Sequence, residues 1–345
     1  MKALVFEGPG RKSLRDVPTP QLQHPHDAIV RITHTTICGT DLHILKGDVP
    51  EVTSGRVLGH EGVGEIVSVG PAVSRFKPRD SVIISCITSC GACGYCRRGM
   101  FSHCDDGGWQ LGHTIDGTQA EFVRIPHADN SLHPAAPSAD KESLVLLSDV
   151  LPTAYECGVL SGCIRPGNTV AVIGAGPIGL GVLLTAKLFS PAQLIAVDTD
   201  ATRLERAHAF GATMLVDSEP DGAAEAILEA TNRRGVDVAV EAVGIPATFE
   251  LCQNIIAPGG HIANIGVHGK PATLHLERLW AANITLTTRL VDTLATPELL
   301  AAVIRNSLNP ARMITHRFAL ANLLDAYDTF STPQKSNALK MLITA

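Results

Sequence analysis

Four cysteines fall within fifteen residues, as Cys90-x2-Cys93-x2-Cys96-x7-Cys104. Thiolates at this spacing can close a tetrahedron around zinc and leave no open position, which makes a structural site. Gly91, Gly94 and Gly99 supply the sharp bends between ligands. Thiolates alone would also suit an iron–sulfur cluster, but nothing else in the sequence points to electron transfer. The chain has nine cysteines, an odd number, and its start shows no long apolar core followed by a small-residue cleavage site. A secretory signal is therefore not expected, and a disulfide framework is a poor reading. Two more residues of ligand type lie upstream, Cys38 in Cys38-Gly39-Thr40-Asp41-Leu42-His43 and His60 in Gly59-His60-Glu61-Gly62. Their flanking glycines suggest loops, not core strands.

A second kind of chemistry is anion binding. Gly174-Ala175-Gly176-Pro177-Ile178-Gly179 follows an apolar run and opens a helical one. In that context the first glycine makes a tight turn and the second lets backbone approach a pyrophosphate. The third allows close helix–strand packing, with the helix N-terminus facing the anion. Asp198 ends the next strand, 22 residues after Gly176. A carboxylate there accepts hydrogen bonds from ribose hydroxyls and repels a 2′-phosphate, which favours NAD over NADP.

The elements that must position these groups fall into two regimes. Up to about residue 150, short β-type runs alternate with Gly/Pro punctuation, as in Ala28–Ile32, Gly64–Val69 and Ser81–Ile84. This predicts an irregular, mostly β barrel or sandwich. From Thr169–Ile173 onward, apolar strands alternate with helices: a helix over Ile178–Phe189, Leu194–Asp198, a helix near 201–210, Met214–Val216, Val236–Glu241 and His261–Ile265. That alternation predicts a doubly wound parallel sheet, so the fold class is α/β. A helix near 297–308 and a strand Leu339–Ile343 break the alternation and could return to the first region. The length of 345 residues fits two domains, and a net charge of −6 speaks against wholesale nucleic-acid binding. No apolar stretch approaches the roughly 18–20 residues needed to span a bilayer.

With Cys38, the Gly-His-Glu segment, the four-cysteine lobe and the Gly-x-Gly-x-x-Gly turn in this order, the whole chain resembles the medium-chain, zinc-dependent alcohol dehydrogenases. The resemblance implies a GroES-like catalytic domain over 1–150 with its zinc lobe at about 86–108, a Rossmann NAD-binding domain over 151–288, and a return to the catalytic domain over 289–345. It implies two zinc ions per chain. Cys38, His60 and, in the bacterial secondary-alcohol branch, the aspartate Asp149 would hold the catalytic one; Cys90, Cys93, Cys96 and Cys104 would hold the other. Glu61 would neighbour the catalytic zinc, and Thr40 and His43 would form a proton relay. Besides Gly174, Gly176, Pro177, Ile178, Gly179 and Asp198, cofactor contacts would come from Thr153, Arg203, the Ile265-Gly266-Val267 backbone and Lys340, the last near the pyrophosphate. Cys86 and Trp109 would line the substrate pocket, with a cysteine leaving room for a second substituent on the carbinol carbon. The implied reaction is hydride transfer between a primary or secondary alcohol and NAD, by a cytoplasmic homo-oligomer, with a tetramer favoured over a dimer. A polyol or threonine dehydrogenase, a zinc-independent quinone or enone reductase, and a non-catalytic NAD-binding protein are the alternatives. The ligand set argues against the reductase, and Thr40 with His43 argues against a mere sensor.

Overall fold

The computed structural model describes residues 1–136, 139–217 and 219–345. It divides into one unit of Met1–Pro152 with Asp292–Ala345, and a second of Thr153–Val291. The crossings fall two to three residues beyond the expected 150/151 and 288/289.

The first unit contains a seven-stranded sheet. Its path runs Ile314–Ala319, Lys340–Thr344, Ala28–Thr36, Gly62–Val69, Ser81–Ile84 and Leu132–Pro134, with Phe122–Ile125 also pairing with Ala28–Thr36. A two-stranded ribbon, Lys2–Gly8 with Arg11–Asp16, stands apart from it. The C-terminal strand Lys340–Thr344 pairs antiparallel with Ala28–Thr36, so the chain's end is built into its beginning. Along Ala28–Thr36, Val30 and Ile32 flank the exposed Arg31 and lie in a core with Ile66, Val82 and Ile84. Cys38 follows Ala28–Thr36 and His60 and Glu61 precede Gly62–Val69, so these ligand-type residues stand at the ends of two neighbouring central strands.

The second unit is a six-stranded parallel sheet. Its order is Met214–Asp217, Gln193–Asp198, Thr169–Ile173, Val236–Glu241, Ile256–Asn264 and Thr285–Thr288. Val170, Ala171, Val172 and Ile173 are all buried, as a strand covered on both faces must be. Strand order reverses between Thr169–Ile173 and Val236–Glu241, and ligands of such sheets bind outside the carboxyl ends at that switch point. The helix after the glycine turn runs Pro177–Ala186 and tightens over Lys187–Phe189. The late helix is shorter than expected, Thr296–Ile304, because Asn306 turns into the left-handed region.

Candidate functional site

Cys38 caps the helix Gly39–Lys46 from its N-terminal end, and the Asp41 carboxylate accepts a hydrogen bond from the Cys38 N–H at 2.8 Å. Asp41 is braced in turn: it accepts from Gln119 Nε2 at 3.1 Å, and Gln119 Oε1 accepts from the Tyr327 hydroxyl at 2.8 Å. Burial holds the Asp41 carboxyl above its ordinary range.

His60 and Glu61 directly precede the strand Gly62–Val69, and Asp149 directly precedes the helix Val150–Thr153. One hydroxyl locks these two segments together. Ser148 Oγ accepts from the Gly62 N–H at 3.1 Å and donates to the Gly62 carbonyl at 3.0 Å. The result is a convergence: donor atoms of Cys38, His60, Glu61 and Asp149 lie within 4.8 Å of one another. Asp149 Oδ2 is 3.4 Å from His60 Nε2 and 3.9 Å from Cys38 Sγ. Burial works against a charged His60 imidazole, but Asp149 and Cys38 outweigh it and raise its pKa well above the usual value. A cluster that draws a proton onto a buried imidazole is one that a cation would fit.

Glu61 faces away from a purely ligating role. Its carboxylate pairs with Lys340 Nζ at 2.6 Å, both groups being buried. Lys340, which the resemblance implies lies near the cofactor pyrophosphate, is thus paired within the first unit. Its partner is Glu61, because strand Lys340–Thr344 is threaded into the first unit's sheet. Burial disfavours the ammonium, and Glu61 offsets that, raising the Lys340 pKa.

Around the cluster, Thr40 Oγ1 sits 3.7 Å from Cys38 Sγ. The His43 Nδ1 hydrogen-bonds to Asp48 Oδ2 at 2.8 Å. The Cys86 thiol is buried 3.5 Å from Asp149 Oδ1. Trp109 stacks on His113 at 4.3 Å and turns its ring edge-on to His60 at 6.4 Å.

The other four thiols also converge within 4.8 Å. Backbone N–H groups, that of Cys96 first, pull the Cys93 thiol down to about 6, whereas burial pushes Cys96 up to about 12. Backbone donors aimed at sulfur are what a cation-bearing thiolate cluster requires.

In the second unit, Gly174 takes φ +99° and a Cβ on Gly179 would strike the Gly174 carbonyl oxygen, so both glycines serve the turn itself. Gly176 differs: a Cβ there would meet nothing within 4 Å. The space it leaves opens on a cavity of about 420 Å³ lined by Gly174, Gly176, Asp198, Arg203, Val243 and Ile245. Asp198 lines this cavity while also accepting from the N–H of Ala175 at 2.7 Å and of Asp200 at 2.9 Å. Two lone-pair sites remain for a ligand. The Ile265 and Gly266 N–H groups both donate to the Glu241 carbonyl, at 2.9 and 3.1 Å, which holds the Ile265–Val267 segment at the carboxyl end of the neighbouring strand. Pro177 and Ile178 open the helix, and Thr153 ends Val150–Thr153.

Sequence reasoning missed several residues. Asp41 had a local signal, a capping residue three after Cys38. Ser148, Asp48, Gln119 and Tyr327 had none. Nor did Val243, Ile245 and Glu219, which join the cavity from the loop after Val236–Glu241 and from the cap of the helix Pro220–Ala230.

The parallel sheet with its glycine turn and the two ligand clusters define a nucleotide-binding, metal-dependent oxidoreductase. Residues 24–137 match the alcohol dehydrogenase GroES-like domain, and residues 177–305 match the zinc-binding dehydrogenase family. An alcohol dehydrogenase of Cupriavidus necator is 34% identical over 99% of this chain and 98% of its own length. Zinc-dependent alcohol dehydrogenase 2 from Streptococcus pneumonia, solved in its apo form, is 51% identical over 100% of this chain and 98% of that one, with a TM-score of 0.95. A zinc-binding dehydrogenase from Sinorhizobium meliloti 1021, bound to NADP, is 28% identical over 100% and 99%, with a TM-score of 0.88. The chain belongs to the medium-chain, zinc-dependent alcohol dehydrogenase family and is an oxidoreductase.

Proposed function

We propose that the protein interconverts a small primary or secondary alcohol and its aldehyde or ketone, using NAD and two zinc ions per chain. The observation that carries this is the convergence of Cys38, His60 and Asp149 beside the Cys86 thiol. One thiolate, one carboxylate and a neutral imidazole match a divalent cation and leave its fourth position open. When bound there, zinc supplies Lewis acidity and NAD accepts the hydride. The chain's own residues do the rest. Cys38, His60 and Asp149 hold the ion, while Lys340 keeps Glu61 engaged beside it. Cys86 and Trp109 wall the substrate side and exclude water. Thr40 and His43 form the relay that carries the alcohol proton toward water: the Thr40 hydroxyl passes on its own proton as it accepts that of the alcohol, and His43, its ring fixed by Asp48, stands at the exit. The test is an initial-rate screen over short, aromatic and polyhydric alcohols and threonine. Best rates with polyols or threonine would move the assignment within the family.

His43→Gln is expected to slow alcohol oxidation most near neutral pH, with partial recovery as pH rises. Below neutrality the departing proton needs a local base; at high pH hydroxide takes it directly. An unchanged pH–rate profile would mean that protons leave by another route.

The choice of NAD follows from Asp198. A 2′-phosphate beside this carboxylate brings like charges together and loses the ribose hydrogen bonds. A preference of roughly 100-fold in kcat/KM is expected, and Asp198→Gly should reduce it. Equal efficiency with both cofactors in the unaltered enzyme would end this assignment.

We also infer a homo-oligomer, a tetramer by family resemblance. The edge strand Thr285–Thr288 and the exposed Leu276 and Trp280 nearby in the chain support self-association. Reduced thiols at the four-cysteine cluster suit the cytoplasm.

A further inference from the structure

The chain re-enters the first unit at Asp292-Thr293. Thr293 is β-branched, yet its φ is +61°, the left-handed region that such residues avoid. It is also only 3% exposed. A conformation of this kind persists where the surroundings over-determine it, and such residues cluster at functional sites.

The surroundings here are polar and specific. Thr293 Oγ1 lies 2.7 Å from Ser85 Oγ and 2.7 Å from the Asp292 carbonyl. Ser85 Oγ closes its own turn, donating to the Ile87 carbonyl at 2.6 Å and accepting from the Ile87 N–H at 3.1 Å. Each hydroxyl has one proton and also faces a carbonyl, Ile87 for Ser85 and Asp292 for Thr293, so either one can be the donor in the bond that joins them. Cys86 is the middle residue of that turn, and its thiol lies against Asp149. On the other side, buried Asp292 Oδ1 accepts from the Ser102 N–H at 2.9 Å and the Ser102 hydroxyl at 2.7 Å. Ser102 sits in the short helix Phe101–His103, directly before the lobe ligand Cys104.

We propose that Asp292 and Thr293 are positioning residues that tie the four-cysteine lobe to the turn of Cys86, and so hold that wall of the pocket against Asp149. The tie rests on reading the Cys38–His60–Asp149 cluster as the catalytic centre. It has a consequence that packing alone would not: a change in the lobe reaches the catalytic pocket without touching a catalytic ligand. The strained backbone at Thr293 is retained because the hydroxyl must point at Ser85 while the preceding carboxylate points at Ser102.

The experiment uses the zinc-loaded, full-length protein. Alkylation of Cys86 by iodoacetamide is followed by peptide mass, with the melting temperature recorded in parallel. Thr293→Val keeps the branch and the volume but removes the hydroxyl; it should raise the Cys86 alkylation rate about tenfold, the scale of one lost buried hydrogen bond. Thr293→Ser keeps the hydroxyl and should alkylate at the unaltered rate. Ser102→Ala, placed in the lobe, should expose Cys86 in the same direction as Thr293→Val. In both affected variants kcat/KM for alcohol should fall while KM for NAD holds. Wild-type alkylation in Thr293→Val and Ser102→Ala overturns the proposal, as do equal rises in Thr293→Val and Thr293→Ser. If Thr293→Val does not fold, Ser102→Ala decides alone. Alkylation is read on the thiol itself, so it stands even if the screen finds no alcohol substrate.

Discussion

Asp149→Ala is expected to lose about a thousandfold or more in kcat/KM while remaining folded, the scale of removing a Lewis acid worth several kcal/mol. The carboxylate lies 3.4 Å from His60 and 3.9 Å from Cys38, and its removal leaves two ligands on separate loops. That is one fewer than a catalytic zinc with an open position requires. The charge facing the ion also falls from two negative units to one. Metal analysis should therefore drop from two zinc ions per chain to one, with the four-cysteine lobe still loaded. Cys38→Ser should behave alike. Retention of both ions and near-normal turnover in Asp149→Ala would show that the third ligand lies elsewhere, with Glu61 the nearest alternative.

Cys93→Ser should act on stability before activity. Zinc held by a closed, four-thiolate site contributes its binding energy to folding, about 10–16 kcal/mol apparent in small zinc-finger peptides. Only part of that is lost when three ligands remain. A loss of several kcal/mol in a unit this size lowers Tm by about 10 °C or more, at roughly 2–4 °C per kcal/mol. Calorimetry with zinc analysis reads both quantities. A mild chelator should strip the catalytic ion first, since a site with an open position admits a competing ligand and the closed lobe does not. An unchanged Tm in Cys93→Ser would remove the structural role from the lobe.

These two sites differ in how far they could be read in advance. The lobe was legible because its four ligands lie within fifteen residues and their spacing alone permits closure. The glycine turn was legible for a similar reason: Gly174 needs a positive φ, Gly179 cannot carry a Cβ, and both demands are local. The parallel sheet was legible from apolar runs alternating with helices, since a strand buried on both faces has no polar positions to spare. The Cys38–His60–Asp149 cluster, proposed as the catalytic one, was only half legible. Cys38 and His60 stand in loops marked by glycine, but Asp149 entered through family resemblance, with no local pattern of its own.

What the sequence determined by itself, then, is chemistry confined to a few neighbouring residues: the thiolate lobe, the phosphate-type turn, and the strand–helix rhythm around it. Tertiary structure alone decided the partners of buried polar groups. Ser148 meets Gly62 across 86 residues, Tyr327 meets Gln119 across 208, Thr293 meets Ser85 across 208, and Lys340 meets Glu61 across 279. The last three depend on where the chain re-enters the first unit, and the Lys340 pairing also on the register of the returning strand; no local spacing encodes any of the four. The physical reason is the penalty for burying an unpartnered charge or hydroxyl. It requires that Lys340 find a partner, but only the sheet that carries Lys340 into the core makes that partner Glu61.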